Sequence, residues 1–199
     1  MKKVLHVGSG PKTLTGIPAR FDPVEWEEVR LDINPAIKPD IVSSTTDMAA
    51  VESASMDAVF SFHNIEHLYA HEVPLALAEF KRVLKPDGFL LVVCPDLQEV
   101  ARLVAADKLT EAAYNSPAGP IAPLDIIYGP RAPMARGNLF VAHRCGFTQT
   151  VLVGTLKAAG FQAIAVKRRP QAFDLWAIAS LAALDKDQLA GLVGQVLPG

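Results

Sequence analysis

Two short segments carry the residues best suited to chemistry. In Val4-Leu5-His6-Val7-Gly8-Ser9-Gly10 an apolar run ends in two glycines one residue apart. Further on, Leu31-Asp32-Ile33-Asn34 ends a second run in a carboxylate. In an open α/β sheet such a pair stands at the carboxyl ends of neighbouring parallel strands, where these sheets bind ligands. Side chains at positions 8 and 10 would hold a ligand away from the backbone. Asp32 can accept hydrogen bonds from both hydroxyls of a ribose, so the first reading is a site for an adenosine-type cofactor. Alone, the two glycines also fit an ordinary strand-to-loop turn, and Asp32 could be a solvated strand-end acid. The two together, with segments further along, favour the site. Asp40, Asp47 and Asp57 are further strand-end acids, and Asp57 reads as the start of a strand, where it turns the chain.

Other chemistries fit less well. A dinucleotide turn needs GxGxxG, and Thr13 stands at the third glycine position. A phosphate loop fails because Pro11 separates Gly10 from Lys12-Thr13 and no GxxxxGK[ST] occurs. His63, His67 and His71 fall at i, i+4 and i+8, which on one helical face could bind zinc. His63 reads as a strand exit ahead of any helix, however, so no metal site is expected. His67 can orient a loop by a hydrogen bond, and Glu66 can favour a helix start through the dipole. His143-Arg144 precedes a helix and could face a substrate pocket, with Arg144 on an anionic group; a hydrogen-bonded loop pair fits as well. Cys94 ends an apolar strand and reads as a small buried hydrophobe. Cys145 has no activating partner beyond Arg144, so neither cysteine reads as a nucleophile.

The elements that must position these residues alternate between strand and helix. Val4–Val7 is a short buried-type strand. Gly8–Pro23 is rich in Gly, Pro and Thr, so the helix after the glycine turn is short or absent. Glu27–Ile33 is a second strand, Ile41-Val42 a short third ending near Asp47-Met48, and Asp57–Phe62 a fourth. Glu72–Leu84 is the clearest helix, with Leu75, Ala78, Phe80, Val83 and Leu84 as its apolar stripe and Lys81, Arg82 and Lys85 at its C-terminal end. Lys85-Pro86-Asp87-Gly88 turns the chain into the wholly apolar strand Phe89–Cys94. Asp96 caps a helix running to about Asp107. Asn115–Pro133 is dense in proline and glycine and reads as an irregular surface insertion. Thr148 caps a helix through Ala159, closed by Gly160. Phe161–Lys167 and Ala172–Ala179 form a hairpin around Arg169-Pro170-Gln171, and Asp185–Val196 is a terminal helix. This order means an α/β fold: a doubly wound, Rossmann-like, mostly parallel seven-stranded sheet with an antiparallel last strand.

With 199 residues the chain reads as one domain, residues 1–199, with the irregular insertion at about 115–140. Half of it is hydrophobic, which argues for a compact chain. The net charge of −2, without blocks of like charge, argues against an electrostatically driven nucleic-acid binder. The two cysteines form no CxxC pair, against a disulfide framework or a cysteine-rich zinc site. Met1-Lys2-Lys3 precedes an apolar run that stops at Gly8, too short for a signal peptide. No apolar stretch is long enough to span a bilayer. A soluble cytoplasmic protein is expected.

Four segments resemble the class I S-adenosylmethionine-dependent methyltransferases, in particular the small methyltransferase-domain proteins. They are Leu5–Gly10, Leu31-Asp32-Ile33, Phe62-His63-Asn64-Ile65-Glu66-His67-Leu68, and Phe80–Leu90 with its Arg82-Val83-Leu84-Lys85-Pro86-Asp87-Gly88 turn. The last two, in that order, are the most specific. His143–Thr148 and Ala159-Gly160-Phe161 resemble the family's C-terminal part. The resemblance implies S-adenosylmethionine as cofactor. Gly8, Ser9 and Gly10 would line its methionine and ribose portion, Asp32 would hold the ribose hydroxyls, and Ile33 would pack on the adenine. Asp47 would accept from the adenine amino group with Met48 beside the ring, and His63 would lie near the methionine end. Two departures stand out. The family often has an acid at the position of His6, and the third glycine is missing.

The implied reaction is methyl transfer to an N, O or C nucleophile of a small molecule. If the acceptor keeps its proton, His63, His67 and His143 are the candidate bases. A non-catalytic binding module on the same fold, or an NAD(P)-dependent reductase, are the competing readings. A nucleic-acid methyltransferase would show Asn-Pro-Pro-aromatic after the fourth strand, where Phe62-His63-Asn64-Ile65 stands.

Overall fold

Short apolar runs bounded by glycine and proline become the strands of one sheet. The computed structural model describes every residue except Lys12, Ile17, Pro18, Ala118, Pro198 and Gly199. In chain order the strands are β1 (Lys2–Val7), β2 (Trp26–Asp32), β3 (Ile41–Val42), β4 (Met56–Phe62), β5 (Leu84–Pro95), β6 (Tyr114–Ser116), β7 (Gly119–Ile121), β8 (Ala163–Arg169) and β9 (Asp174–Ser180). The helices are α1 (Val73–Val83), α2 (Leu97–Ala105), α3 (Pro123–Tyr128), α4 (Arg131–Ala135), α5 (Gln149–Ala158) and α6 (Lys186–Val196). Seven strands form one sheet in the order β3-β2-β1-β4-β5-β9-β8, and β6 and β7 form a separate hairpin. Strands β1 to β5 are parallel, and β9 runs antiparallel to both neighbours.

Successive side chains of each strand point to opposite faces, so the sheet divides the core. Leu5, Val7, Leu31, Val59 and Leu90 meet Leu77 and Phe80 of α1 and Leu152 and Leu156 of α5. Val4, Phe60, Leu91, Trp176 and Ile178 meet Phe21 and Val196 on the other face. Winding runs outward from β1 to β3 on one side and from β4 to β5 on the other. The strand order therefore reverses between β1 and β4, where Val7 pairs with both Leu31 and Ser61. A crevice at the carboxyl ends of strands at such a reversal is where open α/β sheets take ligands.

Three expectations need correction. The apolar stripe of α1 is Val73, Ala76, Leu77, Phe80 and Val83, whereas Leu75 is 55% exposed and Ala78 also faces outward. The helix is turned relative to the reading that began at Leu75, because Leu77 points inward. Between Leu84 and Phe89 the chain bulges within β5, since Met56 pairs with Leu84 but Ala58 with Phe89. The Lys85–Gly88 turn is thus a looped-out part of the strand. Thirdly, the described part of Asn115–Pro133 is ordered into β6, β7, α3 and the start of α4. It has its own buried centre in Ala122, Ile126 and Asp125, whose carboxylate receives Arg131 Nε at 2.7 Å. Proline at the start of α3 marks a helix N-terminus; read by composition it suggested only a loop.

In the Gly8–Pro23 stretch the described residues contain one 3-10 turn, Leu14–Gly16, and no α-helix. Among the described residues no helix is long and apolar enough to cross a membrane.

Candidate functional site

The glycine turn and the acid meet directly. Gly8 and Gly10 sit at φ +61° and +55°, a region that side chains disfavour. The Gly10 N–H donates to Asp32 Oδ2 at 2.9 Å, and the Asn34 N–H donates to Oδ1 at 2.9 Å. Asp32 is 9% exposed. A carboxylate has about four acceptor positions, so two remain after these bonds. Arg30 closes the turn from the other side by donating to the Gly10 carbonyl.

A cavity of about 460 Å³ opens over this turn, within the roughly 300–1,000 Å³ of small-molecule sites. Gly8, Ser9, Gly10, Asp32, Ile33, His63 and His67 line it. Asn34, Ser43–Thr45, Asn64, Phe140 and Arg144 complete much of the wall. Asp47 and Met48 do not line it. The Met48 side chain is fully buried in the core, its N–H donates to Glu79 Oε2, and its carbonyl accepts from Arg82. Asp47 Oδ1 accepts from the Ala49 N–H. β3 is only two residues long and ends at Val42, ahead of Asp47. Ser43–Thr45, which follow β3, line the wall. A larger cleft of about 1030 Å³ lies at the amino ends of the strands, beside Lys2, Trp26 and Asp57. It contains neither the glycine turn nor Asp32.

His6 is buried and holds Glu28 Oε1 at 2.8 Å from its Nδ1. The Glu28 carboxylate also accepts the Leu14 N–H with both oxygens, at 3.2 and 3.1 Å. An acid from β2 thus reaches the loop after the glycine turn, with His6 fixing it from β1. No spacing rule announces this pair.

At the end of β4, His63 has φ +48°, uncommon outside glycine. Its Nδ1 donates to Glu66 Oε1 at 3.2 Å, leaving Nε2 unengaged by that bond. Burial alone would push the Glu66 carboxyl up. The His63 hydrogen bond and the nearby imidazoles of His63, His67 and His143 more than offset this and hold it below the usual carboxylate range. Glu66 starts no long helix; it lies in the 3-10 turn Ile65–His67, well before α1. Its carbonyl receives the Arg144 and Cys145 N–H groups, tying this turn to the segment before α5. His67 Nδ1 donates to the Ala142 carbonyl at 3.1 Å. Arg144 lines the cavity, donates to the His67 carbonyl and lies over the Tyr69 ring.

His143 stands behind the cavity wall, with Nδ1 on the Ile126 carbonyl at 2.8 Å. Burial holds its pKa below the ordinary imidazole value. His71 does not join the other histidines; it is exposed and stacks on Tyr69. Burial, assisted by Glu66, raises the Cys145 thiol to about 11, and its Sγ donates to the Ile65 carbonyl. Sequence reasoning missed Asn64. Its side chain occupies the space a Cβ on Gly8 would need, and its Oδ1 is buried without a partner at the cavity wall.

Two substitutions separate the turn's roles. Gly10→Ala is expected to cost only about 1 kcal/mol of stability, the left-handed backbone penalty, because a Cβ there meets nothing within 4 Å. Gly8→Ala should be several-fold more disruptive, since its Cβ also collides with Asn64. Urea denaturation of the two variants checks the order.

A doubly wound sheet with one antiparallel strand, a glycine turn and an acid at its switch point defines a protein of the class I methyltransferase fold. Residues 5–92 match the family model described as "Methyltransferase domain". That match spans 88 of the 199 residues, and over it the chain is similar to the S-adenosylmethionine-dependent methyltransferases. Among solved structures it is similar to the citrinin polyketide synthase CMeT domain, at 14% identity and TM-score 0.58, covering 92% of this chain but only 47% of that one. A Thermotoga maritima S-adenosylmethionine-dependent methyltransferase, described as a possible histamine N-methyltransferase, is 13% identical over 92% of this chain and 83% of its own, with TM-score 0.58. The Burkholderia thailandensis 1,6-didemethyltoxoflavin-N1-methyltransferase, solved with its namesake and S-adenosylhomocysteine, is 16% identical over 89% of this chain and 69% of its own, with TM-score 0.52. At such identities the likeness is one of fold. No curated protein matches the chain.

Proposed function

We propose that the chain binds S-adenosylmethionine in the cavity over the glycine turn and transfers its methyl group to an N, O or C nucleophile of a small molecule. The observation that carries this is the Gly10–Asp32 hydrogen bond at the switch point, which leaves acceptor positions of Asp32 available. When bound, the cofactor supplies a methyl group made electrophilic by its sulfonium. Asp32 accepts from the ribose hydroxyls, and the bare backbone at Gly8 and Gly10 admits the ligand closely. Ile33, 51% exposed, offers an apolar surface to the adenine. Asn64 Oδ1, buried and unpartnered, suits the cofactor's ammonium group. These residues act by positioning, since in-line geometry is the main requirement of methyl transfer.

His63 is the best placed base: it lines the cavity, and buried Glu66 orients its ring through Nδ1. His143 lies outside the wall. His67 is anchored to Ala142. His63→Ala is expected to lower kcat by about 10²–10⁴-fold for an acceptor that must lose a proton, while S-adenosylhomocysteine binding changes little. A steady-state assay beside isothermal titration checks this.

Titration of the unmutated protein with S-adenosylhomocysteine and with NADH tests the reading itself. Binding of the first alone is expected. Binding of NADH alone would favour a reductase, and S-adenosylhomocysteine binding with no turnover across acceptors would favour a binding module.

A further inference from the structure

At the edge of the cavity, Glu66 and His67 of the Ile65–His67 turn converge with His143 from the segment before α5. One ligand atom each from Glu66, His67 and His143 lies within 4.8 Å of the others. We infer that these three residues bind a divalent transition-metal ion such as zinc or iron(II).

Four observations carry the inference. Glu66 is fully buried and its Oε2 has no hydrogen-bond partner; a buried polar atom left in that state needs one. His63 holds the other oxygen, Oε1, and so fixes the plane of the carboxylate. His67 and His143 each donate Nδ1–H to a backbone carbonyl, of Ala142 and Ile126 respectively. Such a bond sets the tautomer and leaves the Nε2 lone pair for a metal, as is usual for ligating histidines. The two rings lie 5.0 Å apart, centroid to centroid, at 62°.

Tetrahedral donors at about 2.0–2.1 Å from an ion stand about 3.4 Å apart, so a small inward adjustment of the side chains closes the site. The donor set selects the ion. Magnesium and calcium prefer oxygen throughout. Soft ions prefer thiolate, and the nearby Cys145 Sγ is engaged with the Ile65 carbonyl. Two imidazoles and one carboxylate match zinc with an open position, or the facial triad of iron(II). His67 also lines the cavity, so an ion held by it would lie beside the space where an acceptor would bind. That role, polarising an acceptor heteroatom, rests on the methyl-transfer reading; metal binding does not.

Spacing along the chain could not reveal this group. The histidines at i, i+4 and i+8 suggest a helical site, yet only His67 of that set takes part. His143 arrives from the segment stitched to the Ile65–His67 turn by the Arg144 and Cys145 N–H groups.

The test uses the full chain, stripped with a chelator, dialysed, and titrated without cofactor. Calorimetry with zinc measures affinity and stoichiometry. Visible absorption with cobalt(II) reports low-coordinate nitrogen and oxygen ligation. One ion per chain is expected, with a cobalt band unlike that of the aqua ion. His143→Ala and Glu66→Gln should each weaken binding by at least about 100-fold, the upper end of what loss of a hydrogen bond to a ligand costs. His71→Ala should leave it within twofold. Far-ultraviolet circular dichroism checks that the variants fold, and His67→Asn gives a third removal if one does not. Absence of binding to the parent chain would overturn the inference. So would binding that survives removal of both His67 and His143, or that is lost with His71. Failure of S-adenosylhomocysteine to bind would overturn the proposed function and leave the metal result standing.

Discussion

Asp32→Ala is expected to weaken S-adenosylhomocysteine binding by about 10²–10⁴-fold. Hydrogen bonds to a charged acceptor contribute about 1.5–3 kcal/mol each, and each 1.4 kcal/mol is about tenfold in affinity. Two ribose hydroxyls therefore account for most of that loss. The remainder comes from the turn itself, because Asp32 also fixes the N–H groups of Gly10 and Asn34. Asp32→Asn keeps one acceptor oxygen and should lose less. Asp40→Ala is the control. Asp40 accepts the Arg30 N–H on the exposed side of β2 and lines no part of the cavity, so affinity should stay within about twofold, as expected of a surface change. Isothermal titration of the three variants gives the comparison.

The second large effect is on stability. Asp96 is fully buried at the end of β5. Its Oδ1 accepts the Gln98 N–H and caps α2, and its Oδ2 meets Arg168 Nε at 2.8 Å. Arg168 reaches Glu99 as well, at 2.7 Å. Removing a cap costs about 1 kcal/mol, and breaking a buried ion pair costs about 3–5 kcal/mol. Glu99 remains as a partner for Arg168, which moderates the second figure. Asp96→Ala should therefore lose about 3–4 kcal/mol in all, lowering Tm by roughly 6–16 °C for a chain of this size. Asp96 is outside the cavity wall, so the folded variant should still bind S-adenosylhomocysteine with little change. Thermal unfolding followed by circular dichroism, with titration well below Tm, checks both statements.

Much of this arrangement is legible in the residue order. Apolar runs such as Val4–Val7 and Phe89–Cys94, cut by glycine and proline, mark strands whether or not their neighbours are known. Asp96 and Thr148 announce the starts of α2 and α5 through their capping chemistry, and both cap in the structure. The phase of α1 was harder. Leu75 and Leu77 are equally apolar, and only packing against the sheet decides that Leu77 points inward. Short helices in Asn115–Pro133 escape pattern reasoning because prolines that break long helices also begin short ones.

The site divides along the same line. Gly8, Gly10 and Asp32 are visible because their roles depend on local backbone and on strand ends. Asn64 meets Gly8 only because β4 lies beside β1, with Val7 opposite Ser61. Glu28 reaches the loop only through the register of β2 against β1. Glu66, His67 and His143 converge through contacts between segments far apart in sequence. Asp47 and Met48 were placed by the family resemblance alone, and neither lines the cavity over the glycine turn.

The most direct measurement is a crystal structure of the unmutated protein grown with S-adenosylhomocysteine. The ribose hydroxyls are expected on the Asp32 carboxylate, with the ligand running over the backbone of Gly8 and Gly10 towards His63. Density for the ligand in the cleft beside Lys2 and Trp26, or an adenosyl group held away from Asp32, would contradict it.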